Sequence, residues 1–193
     1  MIRANITREY PTHIARCDYT DNSLYLADYT QQTSNVRGVE IFEITPPTDI
    51  DSFELRNDAR LRIGYIKFDN TSFVYSNGST RSQCECVIFP ETSSTDSWIL
   101  FAELKYSHNS YRNDTNIKKA IKQLYLTRTY YFNSGVFTIS NTCYLFVSLP
   151  MQAEPFAQSV ISPTDLQRLK RKHNVILRLQ NHAAIQNDKI IIV

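Results

Sequence analysis

Residues 84–107 read CECVIFPETSSTDSWILFAELKYS, two apolar stretches of strand length separated by the polar turn ETSSTD. Successive side chains of a strand point to opposite faces. Cys86, Ile88, Leu100, Ala102 and Leu104 therefore fall on one face, and Val87, Phe89, Ile99 and Phe101 on the other. A pair of strands apolar on both faces belongs at the centre of a sheet, with cover on each side. Glu85, Glu103 and Lys105 stand out against that background. Charge at buried positions is costly unless it is paired or binds an ion.

A hairpin centred near residue 95 sets Glu85 across from Lys105 and Val87 across from Glu103. All three charges then share one face, at the end away from the turn. Facing residues of an antiparallel pair have Cβ atoms roughly 5 Å apart, and diagonal neighbours roughly 7 Å. In that register Glu85 and Glu103 could share one cation, with Lys105 beside it. The plainer reading is a cross-strand ion pair between Glu85 and Lys105, which leaves Glu103 in need of a partner. A one-residue slip would break either arrangement.

The remainder of the chain supplies a setting for this hairpin. Its 193 residues suit one domain. Residues 61–68 and 71–76 read as a further hairpin, with Asn77-Gly78 as the next turn. The segment TNIKKAIKQLYLTRTYYF (115–132) is apolar at 117, 120, 121, 124, 125 and 131, an amphipathic helical pattern. CYLFVSLP (143–150) reads as another buried strand. Ser162-Pro163-Thr164-Asp165 reads as a helix start, with the helix running to about His173. VILRLQ and KIIIV close the chain as strands. Residues 1–60 are less patterned: a helix at 21–31, a strand at 39–44 ahead of Pro46-Pro47, and a short helix between Asp49 and Arg60 are the readings they allow. Strands followed by helix, strand, helix and strand imply an α/β core, a mixed sheet flanked by helices. The core motif region spans about 60–150.

Composition excludes several classes. The chain has only four glycines and neither phosphate-loop fingerprint, so a glycine-rich nucleotide loop is not expected. The start MIRANITREYPTH lacks a signal-like apolar run, and no stretch is long enough to cross a bilayer. A cytoplasmic location with no membrane partner is the expectation, and Cys17, Cys84, Cys86 and Cys143 are then reduced. Cys84 and Cys86 lack a second pair at zinc-finger spacing, and His13, His108, His173 and His182 are scattered, so these thiols read as buried strand residues. Net charge is +2 but uneven: residues 1–60 carry ten acids and six bases, and the rest nine acids and fifteen bases. That asymmetry permits an anionic partner for the C-terminal part.

An acid on one apolar strand, then Glu-x-Lys at the end of the next, then an amphipathic helix and another strand, resembles the PD-(D/E)XK nuclease superfamily. Here the residues are Glu85 and Glu103-Leu104-Lys105, followed by 115–132 and 143–149. The chain differs in having Glu85 where aspartate is usual, no proline-aspartate dipeptide, and Thr127 four residues after Gln123 where some branches carry tyrosine. The family's N-terminal helix often adds an acid, for which Glu40, Glu43 and Glu54 are candidates.

The resemblance implies a restriction-endonuclease-like core and metal-dependent hydrolysis of phosphodiester bonds, most simply in DNA. Glu85, Glu103 and the Leu104 carbonyl would hold Mg²⁺ or Mn²⁺, hard ions that prefer oxygen. The metal would lower the pKa of a bound water. Lys105 would position or deprotonate that water, or offset developing charge. Lys119, Lys122 and Gln123 on the first helix could meet a nucleic-acid backbone, with Lys118 and Arg128 nearby; Arg168, Lys170, Arg171 and Lys172 form a second basic cluster on the later helix. Tyr106, Tyr111, Tyr130 and Tyr131 are candidates for base stacking. Solvated helix faces and core packing are the ordinary roles of such residues. A chain this size could gain reach as a homodimer. The competing readings are a catalytically inactive nuclease-fold protein that binds nucleic acid or acts as a scaffold, and an interaction protein whose basic helices bind an acidic partner.

Overall fold

The computed structural model describes residues 1–30 and 38–192. The chain begins with helices α1 (Ile2–Glu9) and α2 (Pro11–Ile14), followed by strands β1 (Cys17–Thr20), β2 (Leu24–Asp28), β3 (Val39–Glu43), β4 (Phe53–Arg56) and β5 (Ile63–Lys67). The central hairpin is β6 (Cys86–Pro90) and β7 (Ile99–Leu104), and α3 (Asn113–Asn133) leads to β8 (Cys143–Ser148). Helix α4 (Pro163–His173) and strands β9 (Val175–Leu179), β10 (His182–Ile185) and β11 (Ile191–Ile192) complete it.

These strands form two mixed sheets, one of six strands in the order β1-β5-β6-β7-β8-β9 and one of five in the order β11-β10-β4-β2-β3. In the first, β1, β5, β6 and β7 are antiparallel neighbours, and β8 and β9 continue in parallel after the α3 and α4 crossovers. A parallel neighbour needs such a crossover, which is why the helical periodicity begins where the hairpin ends.

The doubly apolar hairpin is central, and its two faces enter different cores. Val87, Phe89, Ile99 and Phe101 pack with Ile2 and Ile6 of α1 and with Ile117, Ala120, Leu124 and Tyr131 of α3. Ile88, Leu100 and Ala102 pack against Leu24, Leu26, Phe53 and Leu55 of the second sheet. The sequence implied one sheet flanked by helices; instead the helices of the core line one face and a second sheet covers the other. Each element there is too short to announce itself by periodicity. The expected helix at 21–31 is β2 over its described part, residue 31 lying outside the described residues, and the expected helix after Asp49 is β4. Residues 71–76 form no partner strand for β5, whose neighbours are β1 and β6. A local turn closes there, with Val74 bridged to Thr80 and Gly78 at φ +80°.

The later helices follow their sequence signals closely. In α3 the fully buried positions 113, 117, 120, 124, 127 and 131 recur every three or four residues. Helix α4 starts at Pro163, and the Ser162 hydroxyl caps it by accepting from Asp165 N–H at 3.1 Å. It ends at Asn174 in the left-handed region. Among the described residues no helix is long and apolar enough to cross a membrane.

Candidate functional site

The hairpin turn runs from Glu91 to Ser97, because Ser97 joins it: Ser94 N–H donates to the Ser97 hydroxyl at 2.8 Å. The pairing is centred on residue 94, with Cys86 opposite Ala102 and Val87 opposite Phe101. The register expected from sequence is thus displaced by two residues, which preserves the face of each side chain within the strands but changes its neighbours. Lys105 does not face Glu85. It forms an ion pair with Glu103, two residues back on the same face. Glu103 is wholly buried and the Lys105 side chain is 17% exposed. The lysine is therefore committed to the acid that the sequence reading left over.

Glu85 sits in a bend just before β6. Its N–H donates to the Ala102 carbonyl at 3.0 Å, although Cys86 is the residue paired with Ala102. Two residues oppose one, the signature of a β-bulge, a device that re-aims side chains. Cys84 accordingly packs in the helix-side core and Cys86 in the inter-sheet core, two residues apart on opposite faces. Strict alternation, from which Glu85 was assigned the face of Glu103, fails at this point. Glu85 is nonetheless buried beside the Glu103 strand, with Phe68 N–H donating to its carbonyl at 2.9 Å. Burial pushes the Cys84 thiol pKa well up, and the charges of Glu103 and Glu85 add to that effect, so both carboxylates bear on the same thiol.

Helix α3 fixes this segment. Thr127, fully buried, accepts from Cys84 N–H at 2.8 Å and donates to the Gln123 carbonyl at 3.0 Å. The Gln123 amide donates to the Gln83 carbonyl at 2.9 Å. Sequence reasoning treated Thr127 only as a missing tyrosine; its role as a clasp has no short motif and shows only when α3 meets the bulge. Gln83 Oε1 and Gln123 Oε1 are buried without a donor among the described residues. Carboxylate and amide oxygens are hard donors, the kind that Mg²⁺ or Mn²⁺ takes in preference to a softer metal. Among the described residues no three side chains of His, Cys, Asp or Glu converge as a metal cluster.

The other candidates disperse. Glu40 and Glu43 lie on β3 and Glu54 on β4, not on a helix. Glu40 pairs with Lys67 at 2.8 Å. Burial alone would raise the Glu43 pKa, but hydrogen bonds from Thr20, Asn22 and Tyr65 outweigh it and hold the carboxyl below its ordinary value. Lys118, Lys119 and Lys122 are exposed along α3, and Arg168, Lys170, Arg171 and Lys172 along α4, where Arg168 pairs with Asp165 at 2.8 Å. Tyr111 is exposed, but Tyr131 is fully buried and bonded to His13 at 2.9 Å, so it offers no face to a base. Tyr106 donates to the Asp51 carbonyl at 2.6 Å. All four cysteines are free: Cys84, Cys86 and Cys143 are buried and Cys17 half-buried.

The chain matches no family model, no curated protein and no solved structure.

Proposed function

We propose that this chain is a divalent-metal-dependent nuclease with a restriction-endonuclease-like core, acting most simply on DNA. The observation that carries the reading is the Glu103–Lys105 ion pair at the end of an otherwise apolar central strand, with a second buried carboxylate, Glu85, on the bulged neighbour. The run β5, β6, β7, α3, β8 supports it: three antiparallel strands, a helix and a parallel strand follow one another there, although α2 and β1 to β4 separate α1 from that run.

In this reading Glu85, Glu103 and the Leu104 carbonyl hold Mg²⁺ or Mn²⁺, which lowers the pKa of a bound water and polarises the phosphoryl oxygens. Lys105, held by Glu103, would stand where an attacking water and the phosphate meet. The exposed lysines of α3 and the basic run of α4 attract the polyanion. The bulge aims Glu85, and the Thr127 clasp holds the bulge.

A second reading has one observation in its favour. Glu103 and Lys105 neutralise each other, as a purely structural pair would, and this suits a nucleic-acid-binding protein that keeps the fold without catalysis. Calorimetric titration with Mn²⁺ separates the two. The nuclease reading expects binding that is lost in Glu103→Gln and weakened in Glu85→Gln. Absence of Mn²⁺ binding by the native chain would favour the binding protein.

A further inference from the structure

We infer that a second site, formed by Arg81 and Tyr75 beside Tyr130, binds an unstacked nucleotide of a single-stranded nucleic acid, the base on the exposed Tyr75 ring and the phosphate on the guanidinium. This inference rests on the nuclease reading for its ligand class and on the following geometry for its existence. The segment Phe73–Arg81 folds back on itself through the Asn77-Gly78 turn, with Tyr75 N–H donating to Ser79 at 2.9 Å and Arg81 N–H donating to Phe73 at 2.8 Å. That places the Arg81 guanidinium over the Tyr75 ring at 4.9 Å and over the Tyr130 ring of α3 at 5.4 Å.

The cation is otherwise uncommitted. Among the described residues Arg81 makes no ion pair and no side-chain hydrogen bond, and its Nε is buried without an acceptor. A guanidinium carries five donors and matches phosphate oxygens in pairs. Cation–π contact holds it in place without neutralising it. It borders a cleft of about 430 Å³ walled by Tyr10, Phe73, Tyr130, Asn133 and Ser134, within the size range of small-ligand sites. The Tyr10 and Ser134 hydroxyls bond each other at 2.8 Å, and Tyr10 also donates to the Tyr130 carbonyl, so they form a wall rather than a recognition edge. Tyr75 is 52% exposed. An exposed tyrosine stacked on an unpaired arginine favours a flat aromatic anion over a simple phosphate.

Its position links it to the candidate catalytic end. Arg81 lies four residues before Glu85, on the segment that Gln123 and Thr127 clasp to α3. Lys122 precedes Tyr130 by two helical turns, roughly 12 Å along the axis. Stacking on tyrosine requires a base freed from its duplex, so single strands are expected to bind better than duplexes here.

The test is fluorescence anisotropy with a short labelled single-stranded oligonucleotide in EDTA, where metal-dependent cleavage is off, using the full chain and its Arg81→Gln, Arg81→Lys and Tyr75→Ala variants. Arg81→Gln is expected to weaken binding about ten-fold and to reduce the log–log salt slope by about 0.7, the loss of one phosphate contact. Arg81→Lys should recover the salt slope but not the affinity. Tyr75→Ala, a change at an exposed ring, should weaken binding about ten-fold with an unchanged melting temperature. Native-like binding by the Arg81→Gln and Tyr75→Ala variants, or no single-strand binding by the native chain, would overturn the inference. A chain that never cleaves but shows these losses retains the nucleotide site and loses the nuclease reading. A chain that cleaves, with binding indifferent to Arg81 and Tyr75, retains the nuclease and loses the site.

Discussion

Thr127→Val tests how the bulge beside Glu85 is held. Valine copies the shape of threonine and removes one hydroxyl from a wholly buried position. That hydroxyl does two things. Its donation to the Gln123 carbonyl is a back-bond within α3, cheap to lose because that carbonyl still has its helical partner. Its acceptance from Cys84 N–H is different, for Cys84 is fully buried and its amide would lose this acceptor. A buried unsatisfied donor costs about 1–3 kcal/mol. For a chain of this length each kcal/mol moves the melting temperature by about 2–4 °C, so the variant should melt about 2–12 °C lower. Differential scanning calorimetry of Thr127→Val beside Thr127→Ser measures it. Serine keeps the acceptor and should restore most of the loss. A valine variant that melts like the native chain, or a serine variant as unstable as the valine one, would refute the clasp.

Three further outcomes follow from the same structure. Lys105→Met leaves the wholly buried Glu103 without its lysine, and urea unfolding at neutral pH should show a loss of about 3–5 kcal/mol. Burial lowers the His13 pKa below its ordinary value, its Nε2 bonded to the Ser72 carbonyl at 2.7 Å and its Nδ1 to Tyr131; Arg16, which also lowers it, and Asp69, which raises it, are the charged groups that act on it. The unfolded chain therefore takes up a proton before the folded one, so this contribution is complete above about pH 6.5 and is lost as pH falls below it; the pH dependence of the melting temperature should flatten in His13→Gln. Gly64→Ala would set a Cβ 2.9 Å from Tyr19 and 3.0 Å from Phe89 in the middle of β5, and such overpacking should cost about 1–3 kcal/mol by the same unfolding assay.

What could be read from the sequence follows from burial. Strands β6, β7 and β8 are apolar at nearly every position because both faces are covered, and α3 repeats its core contacts over its whole length, so each carries a strong local signal. The second sheet does not. Strand β4 is FELR and β2 is LYLAD; over four or five residues helix and strand patterns overlap, and only pairing with β10 and β3 decides. Ile2 and Ile6 of α1 are buried against α3 and β7 through spacing too short to argue helix from sequence. In the candidate site, the charged trio was visible as charges in an apolar run. Its geometry was not, because a bulge is set by backbone hydrogen bonds, and Ser97 entered the turn through a hydroxyl contact that composition does not announce. Arg81 was missed for a related reason: its two aromatic neighbours are six residues away on a turn and 49 residues away on a helix.

The measurement that bears most directly on the central claim is cleavage of linear and circular DNA by the purified chain in Mg²⁺, in Mn²⁺ and in EDTA, with Lys105→Ala alongside. The account predicts cleavage with either metal, none in EDTA, and loss of activity in Lys105→Ala. No cleavage of DNA or RNA by the native chain with either metal would contradict it, and the Glu103–Lys105 pair would then be a structural feature of a binding protein.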